Sequence, residues 1–368
     1  MVAGVSLKQV NRFLFCGVLV VVVLYFAKQV LVPVTFAAFF AMLFTGLSNR
    51  MEKARIPRIL STIISLLILV SIVFVIGLLV YMQGKKLADD FPVIEKKSAQ
   101  FLKQAEDYIS TKLNIPAAKQ DSLINKQVKS ASDSAGRMAK TLVTGISGTI
   151  GSSVLVIIFM FLFLYQREKY ETFFVSLCKN TAPDEARALI HNISKVAQNY
   201  LTGRALSILI FTVLFTVGFL IIGLKNAFLL AFIAALLTIV PYIGSIIGGL
   251  FPFAVALVTE DDTGIAIGAL AVIVIIQGFD NYFIEPYIIG GEVNISGFFT
   301  ILILLIGGLI WGIAGVVLFL PMLGVAKIIC DAIPELQPYG YLIGDQNQEK
   351  QSARLLKKIK SWFGKKET

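Results

Sequence analysis

Four polar side chains lie close together in the sequence, between two long apolar runs. They are Gln277, Asp280, Asn281 and Glu285, and Pro286 follows directly. At helical spacing the first three fall at positions i, i+3 and i+4, so a helix places them on one face. A carboxylate inside a bilayer is costly, and it therefore usually faces a protein interior or a watery cavity. The pattern predicts a binding site for a polar solute or an ion; an interhelical hydrogen-bond cluster is the alternative.

The composition indicates the class of protein that holds these side chains. The 368-residue chain is 57% hydrophobic and 15% charged, with a mean hydropathy of +0.81, whereas soluble domains average about 45–50% apolar and 25% charged residues. We therefore predict an all-α polytopic membrane protein. Its apolar segments cover residues 13–27, 30–47, 59–82, 142–165, 204–223, 226–258, 264–284 and 297–330. The first two segments flank Lys28 and Gln29, where we expect a tight hairpin.

The distribution of basic residues predicts the orientation in the membrane. Residues 48–58 contain four basic side chains against one acid, and residues 166–203 and the C-terminal tail are also rich in Lys and Arg. Basic loops favour the cytoplasmic side, so we predict that these segments and both termini are cytoplasmic. The net charge of +10 is then explained by loops beside anionic lipid, and no nucleic-acid partner is expected.

Two apolar segments are too long for one straight span and are interrupted near their middle. Residues 226–258 and 297–330 would each reach about 50 Å as a straight helix, against a hydrocarbon core of roughly 30 Å. Paired interruptions in two halves of a chain are typical of a transporter binding site. The interrupting residues are Pro241, Gly244, Gly248, Gly249 and Pro252 in the first segment, and Gly307, Gly308, Gly312 and Gly315 in the second.

These interruptions are compatible with two topologies. We expect six full transmembrane helices plus two re-entrant or broken helical hairpins. Eight transmembrane helices, two of them kinked, are the alternative. Residues 83–140 are expected to form an extracytoplasmic helical hairpin insertion, which acts as a spacer or as an assembly element. The predicted domains are 1–82 (transmembrane helices 1–3), 83–140 (insertion), 141–203 (transmembrane helix 4 and a cytoplasmic amphipathic helix), 204–330 (transport core) and 331–368 (basic cytoplasmic tail).

Residue types that support enzyme chemistry are sparse in this chain. Cys16, Cys178 and Cys330 are far apart in the predicted topology and have no metal-ligand neighbours. His191 is the only histidine, and no phosphate-binding P-loop sequence occurs. We predict that the protein is not an enzyme and uses no cofactor or metal.

A series of glycine, proline and polar positions between residues 241 and 321 matches a known pattern. The series comprises Pro241-x-x-Gly244, Pro252, Gln277-x-x-Asp280-Asn281-x-x-x-Glu285-Pro286, Gly290-Gly291, Gly307-Gly308-x-x-x-Gly312-x-x-Gly315 and Pro321. It resembles the autoinducer-2 exporter family of bacterial membrane proteins, and the overall plan of the chain is similar as well. One departure is Asn294-Ile-Ser296-Gly297, where family members typically have a proline. The resemblance implies a permease in the bacterial cytoplasmic membrane. Some members are credited with export of autoinducer-2 and others with sodium/proton exchange.

The polar cluster and the interrupted segments together define a candidate transport site. Asp280 would carry the ion or proton, and Glu285 would be a second carboxylate near the mouth. Hydrogen bonds to the substrate would come from Asn281, Gln277 and Thr238. The interrupted segments would contribute Pro241, Tyr242, Gly244 and Ser245 from the first, and Gly308, Trp311 and Gly312 from the second.

Four functions are compatible with these residues. The first is a secondary transporter of a small polar solute such as autoinducer-2, and the second is a sodium/proton antiporter that relies on Asp280. A non-transporting membrane scaffold, organised by the 83–140 insertion and the tail, is an alternative of another class. A passive channel is the fourth, although no ring of charges suggests it. The expected partners are the lipid bilayer, a small solute or a monovalent cation, and further copies of the chain in a homo-oligomer.

Overall fold

The computed structural model describes residues 7–79, 81–82, 85, 153–178, 182–238, 240, 243–260, 262–281, 284 and 294–345. Within these ranges the chain is helical apart from short turns, and no strand occurs. The all-α prediction is therefore confirmed for the described residues. The predicted 83–140 insertion, except for Lys85, and the tail beyond residue 345 lie outside them.

Twelve α-helices lie within the described residues. They are α1 (Leu7–Phe26), α2 (Lys28–Lys53), α3 (Arg58–Leu79), α4 (Ser153–Tyr165), α5 (Arg167–Leu177), α6 (Pro183–Ile221), α7 (Ala227–Leu237), α8 (Ile243–Thr259), α9 (Thr263–Phe279), α10 (Gly297–Trp311), α11 (Ile313–Ala332) and α12 (Gln337–Ile343). Among the described helices, α2, α3, α6 and α11 are long and apolar enough to cross a membrane, and α4, α7, α8, α9 and α10 are shorter apolar helices. This pattern agrees with a polytopic membrane protein.

The chain divides into two compact units. The first contains residues 1–66, 152–204 and 286–368, and the second contains residues 67–151 and 205–285. Both boundaries near residues 66 and 204 fall inside continuous helices, α3 and α6. The first unit has a core around Phe39, Trp311 and Leu318. The second is built mainly from α7, α8, α9 and the C-terminal part of α6.

The first two helices join through a bend at Ala27. This residue has nearly helical dihedral angles (φ −87°, ψ 9°), and helical hydrogen bonds run from Ala27 N–H to Val23 and from Leu31 N–H to Ala27. One such residue bends a helix but does not reverse its direction, so the tight hairpin expected around Lys28 and Gln29 is wrong. The bend has an identifiable cause, because the Trp311 indole N–H donates to the carbonyl of Leu24 (2.9 Å). A side chain that inserts into the helical ladder in this way produces a kink.

The first interrupted segment folds as the α7–α8 hairpin. Its two arms pack closely, because a Cβ atom on Gly248 would lie only 2.7 Å from the carbonyl oxygen of Ala234, and one on Gly244 would clash with the backbone of Leu237. The base of the hairpin is closed by Lys225 and Glu260, whose charged groups are 3.3 Å apart. The Lys225 backbone N–H also donates to the Glu260 carboxylate (3.0 Å). The chain therefore enters and leaves this segment at the same end.

The second interrupted segment folds as the α10–α11 hairpin, which reverses at Gly312. Its dihedral angles (φ 61°, ψ −139°) are accessible to essentially no other residue type. Next to this turn the backbones of Gly307 and Gly315 touch, since a Cβ atom on Gly307 would lie 2.6 Å from the Gly315 carbonyl oxygen. The base is closed by α12, where the Ser296 N–H donates to the Ile343 carbonyl (2.8 Å).

Candidate functional site

The most buried acid of the predicted site lies on the packed face of α9. The buried residues of this helix are Ala266, Ala269, Ile273 and Ile276, and Asp280 continues the same spacing of three and four residues. This face packs on α8, where a Cβ atom on Gly249 would lie 2.8 Å from the Ile273 side chain. Small residues thus let the helices approach closely, and the carboxylate that follows them is only 9% exposed.

The helix changes its winding where it reaches the predicted site. Asp280, Asn281 and Ile284 are in π-helical conformation, and the Asp280 N–H is shared between the carbonyls of Ile276 and Gln277. Single π-helical turns inside α-helices are frequent at functional sites. Asp280 is buried, whereas Asn281 is exposed, so the expected single polar face is split.

The structure brings Gln277 and Asp280 together. The Gln277 side-chain amide donates to Oδ2 of Asp280 at 3.5 Å, which is long for a hydrogen bond. Amide and carboxylate oxygens can accept from a hydroxyl group or coordinate a monovalent cation, and the amide N–H can donate to a polar solute.

Three further residues of the predicted site lie at the reversal of the α7–α8 hairpin. Thr238 is buried and donates its hydroxyl hydrogen to the carbonyl of Ala235 (2.7 Å). Gly244 packs directly against the α7 end of the turn, since an added Cβ atom would lie 3.1 Å from Cα of Thr238. Ser245 follows on α8 and is half-buried. All three belong to the same unit as Asp280.

The remaining predicted residues are placed elsewhere or lie outside the described chain. Gly308, Trp311 and Gly312 belong to the α10–α11 hairpin of the other unit. There the Trp311 ring packs edge-on against Phe319 with centroids 5.1 Å apart. Pro241, Tyr242 and Glu285 are not among the described residues. In the described ranges, no group of three or more His, Cys, Asp or Glu side chains could hold a metal ion.

Sequence reasoning missed a polar cluster at the junction of α2, α3 and α5. Arg167 pairs with Glu52 (2.5 Å) and donates to the hydroxyl of Ser48 (3.1 Å). Ser61, fully buried like Ser48, also donates to the Glu52 carboxylate (3.1 Å). The single acid within the basic segment 48–58 is the one signal that could have indicated this cluster, because an isolated acid among bases often pairs with a distant Arg.

A second missed group is a buried lysine near the end of α11. Lys327 is almost fully buried and donates to the carboxylate of Asp331, one turn later, at 2.6 Å. The strap formed by α12 covers the pair, since Gly344 packs on the Lys327 side chain and Gly340 on Asp331. The sequence signal for this pair is a single lysine within an apolar run, followed four residues later by an acid, because residues at i and i+4 are neighbours on a helix.

Comparison with known proteins gives a consistent picture. Residues 14–335 match the sequence model that describes AI-2E family transporters. YueF of Bacillus subtilis is 25% identical over 82% of this chain and 84% of its own length. The "AI-2 transport protein TqsA" of Escherichia coli is 24% identical over 94% of this chain and 98% of its own length. A transport-protein relative from Haemophilus influenzae is 26% identical, covering 87% of this chain and 91% of itself. The protein is a multi-pass membrane protein that belongs to the AI-2E family of bacterial transporters.

Proposed function

We propose that the protein is a permease that moves a small polar solute across the bacterial inner membrane, with Asp280 in its binding site. The observation that carries the proposal is a buried carboxylate at the end of an apolar helix, in a π-helical turn. Burial of an acid in membrane surroundings is expensive and is usually retained for a functional reason. Membership of a transporter family supports the same conclusion.

We propose further that both hairpins are re-entrant. The α7 arm has 11 residues and the α10 arm has 15, which correspond to about 16 Å and 22 Å, less than a hydrocarbon core of roughly 30 Å. A re-entrant hairpin presents unpaired backbone groups near the membrane midplane, where transporters bind their substrates. Thr238 and Gly244 at one turn, and Gly312 at the other, are then the backbone positions closest to the midplane.

The chemistry of the site favours a neutral hydroxylated solute over a cation as the main cargo. A neutral solute needs both donors and acceptors, and Gln277, Asp280 and Thr238 provide both kinds. One relative carries autoinducer-2 transport in its name, so we propose a solute of that hydroxylated kind. Sodium/proton exchange is the second candidate, because a single buried carboxylate can bind a cation or a proton in turn.

Transport by purified protein in proteoliposomes tests this proposal. Labelled autoinducer-2 is followed in one series, and a lumenal pH dye reports sodium-driven proton movement in another. The variants are Asp280→Asn and, as the matched control, Glu335→Gln, which makes the same acid-to-amide change at an exposed position. We expect solute flux in the wild type and the control, and a loss of at least about tenfold in Asp280→Asn, because a removed binding contact worth 1.4 kcal/mol corresponds to tenfold in rate.

The other outcomes distinguish the competing functions. Sodium-dependent proton flux that disappears in Asp280→Asn, without solute flux, would make the protein an antiporter. Flux of either kind that is unchanged in Asp280→Asn would remove Asp280 from the site. No flux from protein that is folded by circular dichroism and thermal unfolding would contradict the permease proposal and favour the scaffold.

A further inference from the structure

Helix α5 presents an apolar face that no described residue covers. Tyr170, Phe173, Phe174 and Leu177 follow the spacing i, i+3, i+4 and i+7 that places side chains on one face of a helix. Phe173, Phe174 and Leu177 are 54%, 51% and 59% exposed, and no residue of this helix is buried. Contiguous exposed apolar side chains of this size mark an interaction surface.

The level of α5 relative to the membrane follows from its ion pair with the end of α2. Arg50 and Lys53 are exposed basic residues in the last turn of α2, and charged side chains avoid the hydrocarbon core. They therefore mark the height of the lipid headgroups. Glu52 lies between them and holds Arg167, the first residue of α5, at 2.5 Å. The helix thus begins at the headgroup level.

A bend before α5 turns its apolar face back toward the bilayer. Gln166 separates α4 from α5 and, like Ala27, has nearly helical dihedral angles (φ −101°, ψ 19°) with helical hydrogen bonds on both sides, so it bends the helix without reversing it. The rings of Phe163 and Tyr170 are 5.3 Å apart, whereas seven residues of straight helix would separate them by about 10 Å along the axis. The concave side of the bend is therefore the side of Tyr170. Since α4 is an apolar helix, this side faces the membrane that α4 enters.

The surroundings of the apolar face are basic. Arg50, Lys53, Arg55 and Lys169 are exposed, and the structure shows no ion pair between any of them and another described residue. Of the three acids on α5 and at the end of α2, Glu52 and Glu168 are paired with Arg167 and Arg58, at 2.5 Å and 3.2 Å, and exposed Glu171 has no ion pair with a described residue. The exposed charge around α5 is therefore predominantly positive, which complements anionic lipid headgroups.

We propose that α5 is an interfacial helix that inserts Phe173, Phe174 and Leu177 into the lipid–water boundary, while Arg50, Lys53 and Lys169 bind anionic headgroups. A bilayer is favoured over a protein partner because the helix begins at the headgroup level and the exposed charges beside its apolar face are predominantly basic. Aromatic side chains with a basic rim are typical of helices that lie in the membrane interface. This inference goes beyond the transport function and does not depend on it.

Depth-dependent fluorescence quenching tests the insertion. Single cysteines replace Phe174 or, as the matched control on the polar face of the same helix, exposed Thr172. The native Cys16, Cys178 and Cys330 are changed to Ala, and each protein is labelled with an environment-sensitive dye and reconstituted into vesicles of brominated phosphatidylcholine. We expect quenching to be several-fold stronger at position 174 than at position 172, because only the former faces the acyl chains.

Two results would overturn the insertion. Equal quenching at the two positions would show that α5 does not lie with this face in the lipid. A label at position 174 that is shielded from brominated lipid but self-quenches at full labelling would show that a second copy of the chain covers the face. Because both labelled proteins are checked for monodisperse elution first, a misfolded variant does not enter the comparison.

The headgroup contact is tested separately with charge-neutral variants. Arg50→Gln/Lys53→Gln is compared with Arg187→Gln/Lys195→Gln, which removes the same charge from exposed positions of α6. Phosphatidylglycerol retained through purification is measured for each. We expect several-fold less anionic lipid on the first variant and the wild-type amount on the second. Equal retention by the two variants would overturn the headgroup contact.

Discussion

At the residue scale, three charged side chains lie in largely apolar surroundings, and each is accommodated differently. Glu52 is paired with Arg167 and accepts from two buried serines, Ser48 and Ser61. Lys327 and Asp331 form a pair within one helix. Asp280 has the long contact from Gln277 as its described side-chain hydrogen bond. The first two groups form charge pairs, whereas Asp280 is a buried carboxylate in a π-helical turn at the end of an apolar helix.

We expect the Glu52–Arg167 pair to be important for stability. Arg167→Gln leaves the Glu52 carboxylate beside Ser48 and Ser61 without its cation, and the loss of a hydrogen bond between charged groups in this partly buried pair costs about 1.5–3 kcal/mol. The exposed pair of Arg187 with Asp184 (3.7 Å) is the control, because exposed pairs contribute under about 1 kcal/mol. Denaturant unfolding in detergent measures both variants. Similar losses in Arg167→Gln and Arg187→Gln would contradict the assignment.

We expect the hydrogen bond of Trp311 to hold the α1–α2 bend. Trp311→Phe keeps a ring against Phe319 but removes the indole donor of the part-buried bond to the Leu24 carbonyl, which costs about 0.5–1.5 kcal/mol. Thr35→Val is the control, since it removes a hydroxyl that donates to the carbonyl of Leu31 within one helix. Thermal unfolding midpoints compare the two. A Trp311→Phe midpoint equal to that of Thr35→Val would show that the bend does not need this bond.

At the element scale, the two hairpins share one construction although they lie in different units. Each reverses at a short turn, each packs glycine against backbone, and each is closed at its base by polar contacts. Glycine is required at these contacts because the two helix backbones approach too closely for a Cβ atom. Close packing of this kind stabilises helix pairs where lipid gives no hydrophobic driving force.

We expect Gly307→Ala to destabilise the α10–α11 hairpin. The added methyl group would lie 2.6 Å from the Gly315 carbonyl oxygen and 2.9 Å from the Phe319 ring, and overpacking of this kind costs about 1–3 kcal/mol. The matched control is Gly77→Ala in α3, where no atom lies within 4 Å of the added methyl group. That change should stabilise the protein by up to about 1 kcal/mol, since alanine favours helix more than glycine does. If the free energy of unfolding changed in the same direction in the two variants, the backbone contact between Gly307 and Gly315 would be refuted.

At the scale of the whole molecule, the topology depends on which segments cross. If both hairpins are re-entrant, α6 and α9 are the crossings among the helices described between residue 182 and residue 345. The basic segments 48–58 and 166–203 then share one side with the C-terminus, and the acidic loop 260–262 lies on the other. The cytoplasmic location of the N-terminus stays a prediction, because the bend at Ala27 replaces the expected hairpin.

We expect cysteines at positions 53 and 263 to be labelled from opposite sides of the membrane. Lys53→Cys and Thr263→Cys, both at exposed positions, are introduced into a background with Cys16, Cys178 and Cys330 changed to Ala. A membrane-impermeant maleimide should label position 263 in intact cells and position 53 only after permeabilisation. Labelling of the two positions under the same condition, whether in intact cells or only after permeabilisation, would contradict the re-entrant topology.

The class of the protein and the place of its candidate site follow from the sequence alone. Hydropathy over windows of about 20 residues predicts membrane helices because the cost of burial in lipid is summed locally. The two interruptions can be predicted in the same way, because Gly and Pro act locally on the helix and are concentrated where each long apolar segment is interrupted. The run from Gln277 to Pro286 also indicates the polar site, since ionisable residues are rare inside apolar segments.

Only the tertiary structure decided how these elements meet. Arg167 pairs with Glu52 from 115 residues away, and Trp311 bends the α1–α2 junction from a distance of 287 residues. Asp280 is buried and Asn281 is exposed, although the spacing predicts that both lie on one polar face. Local propensity and periodicity contain no information about such contacts, because their free energy depends on which distant groups the fold brings within hydrogen-bond distance.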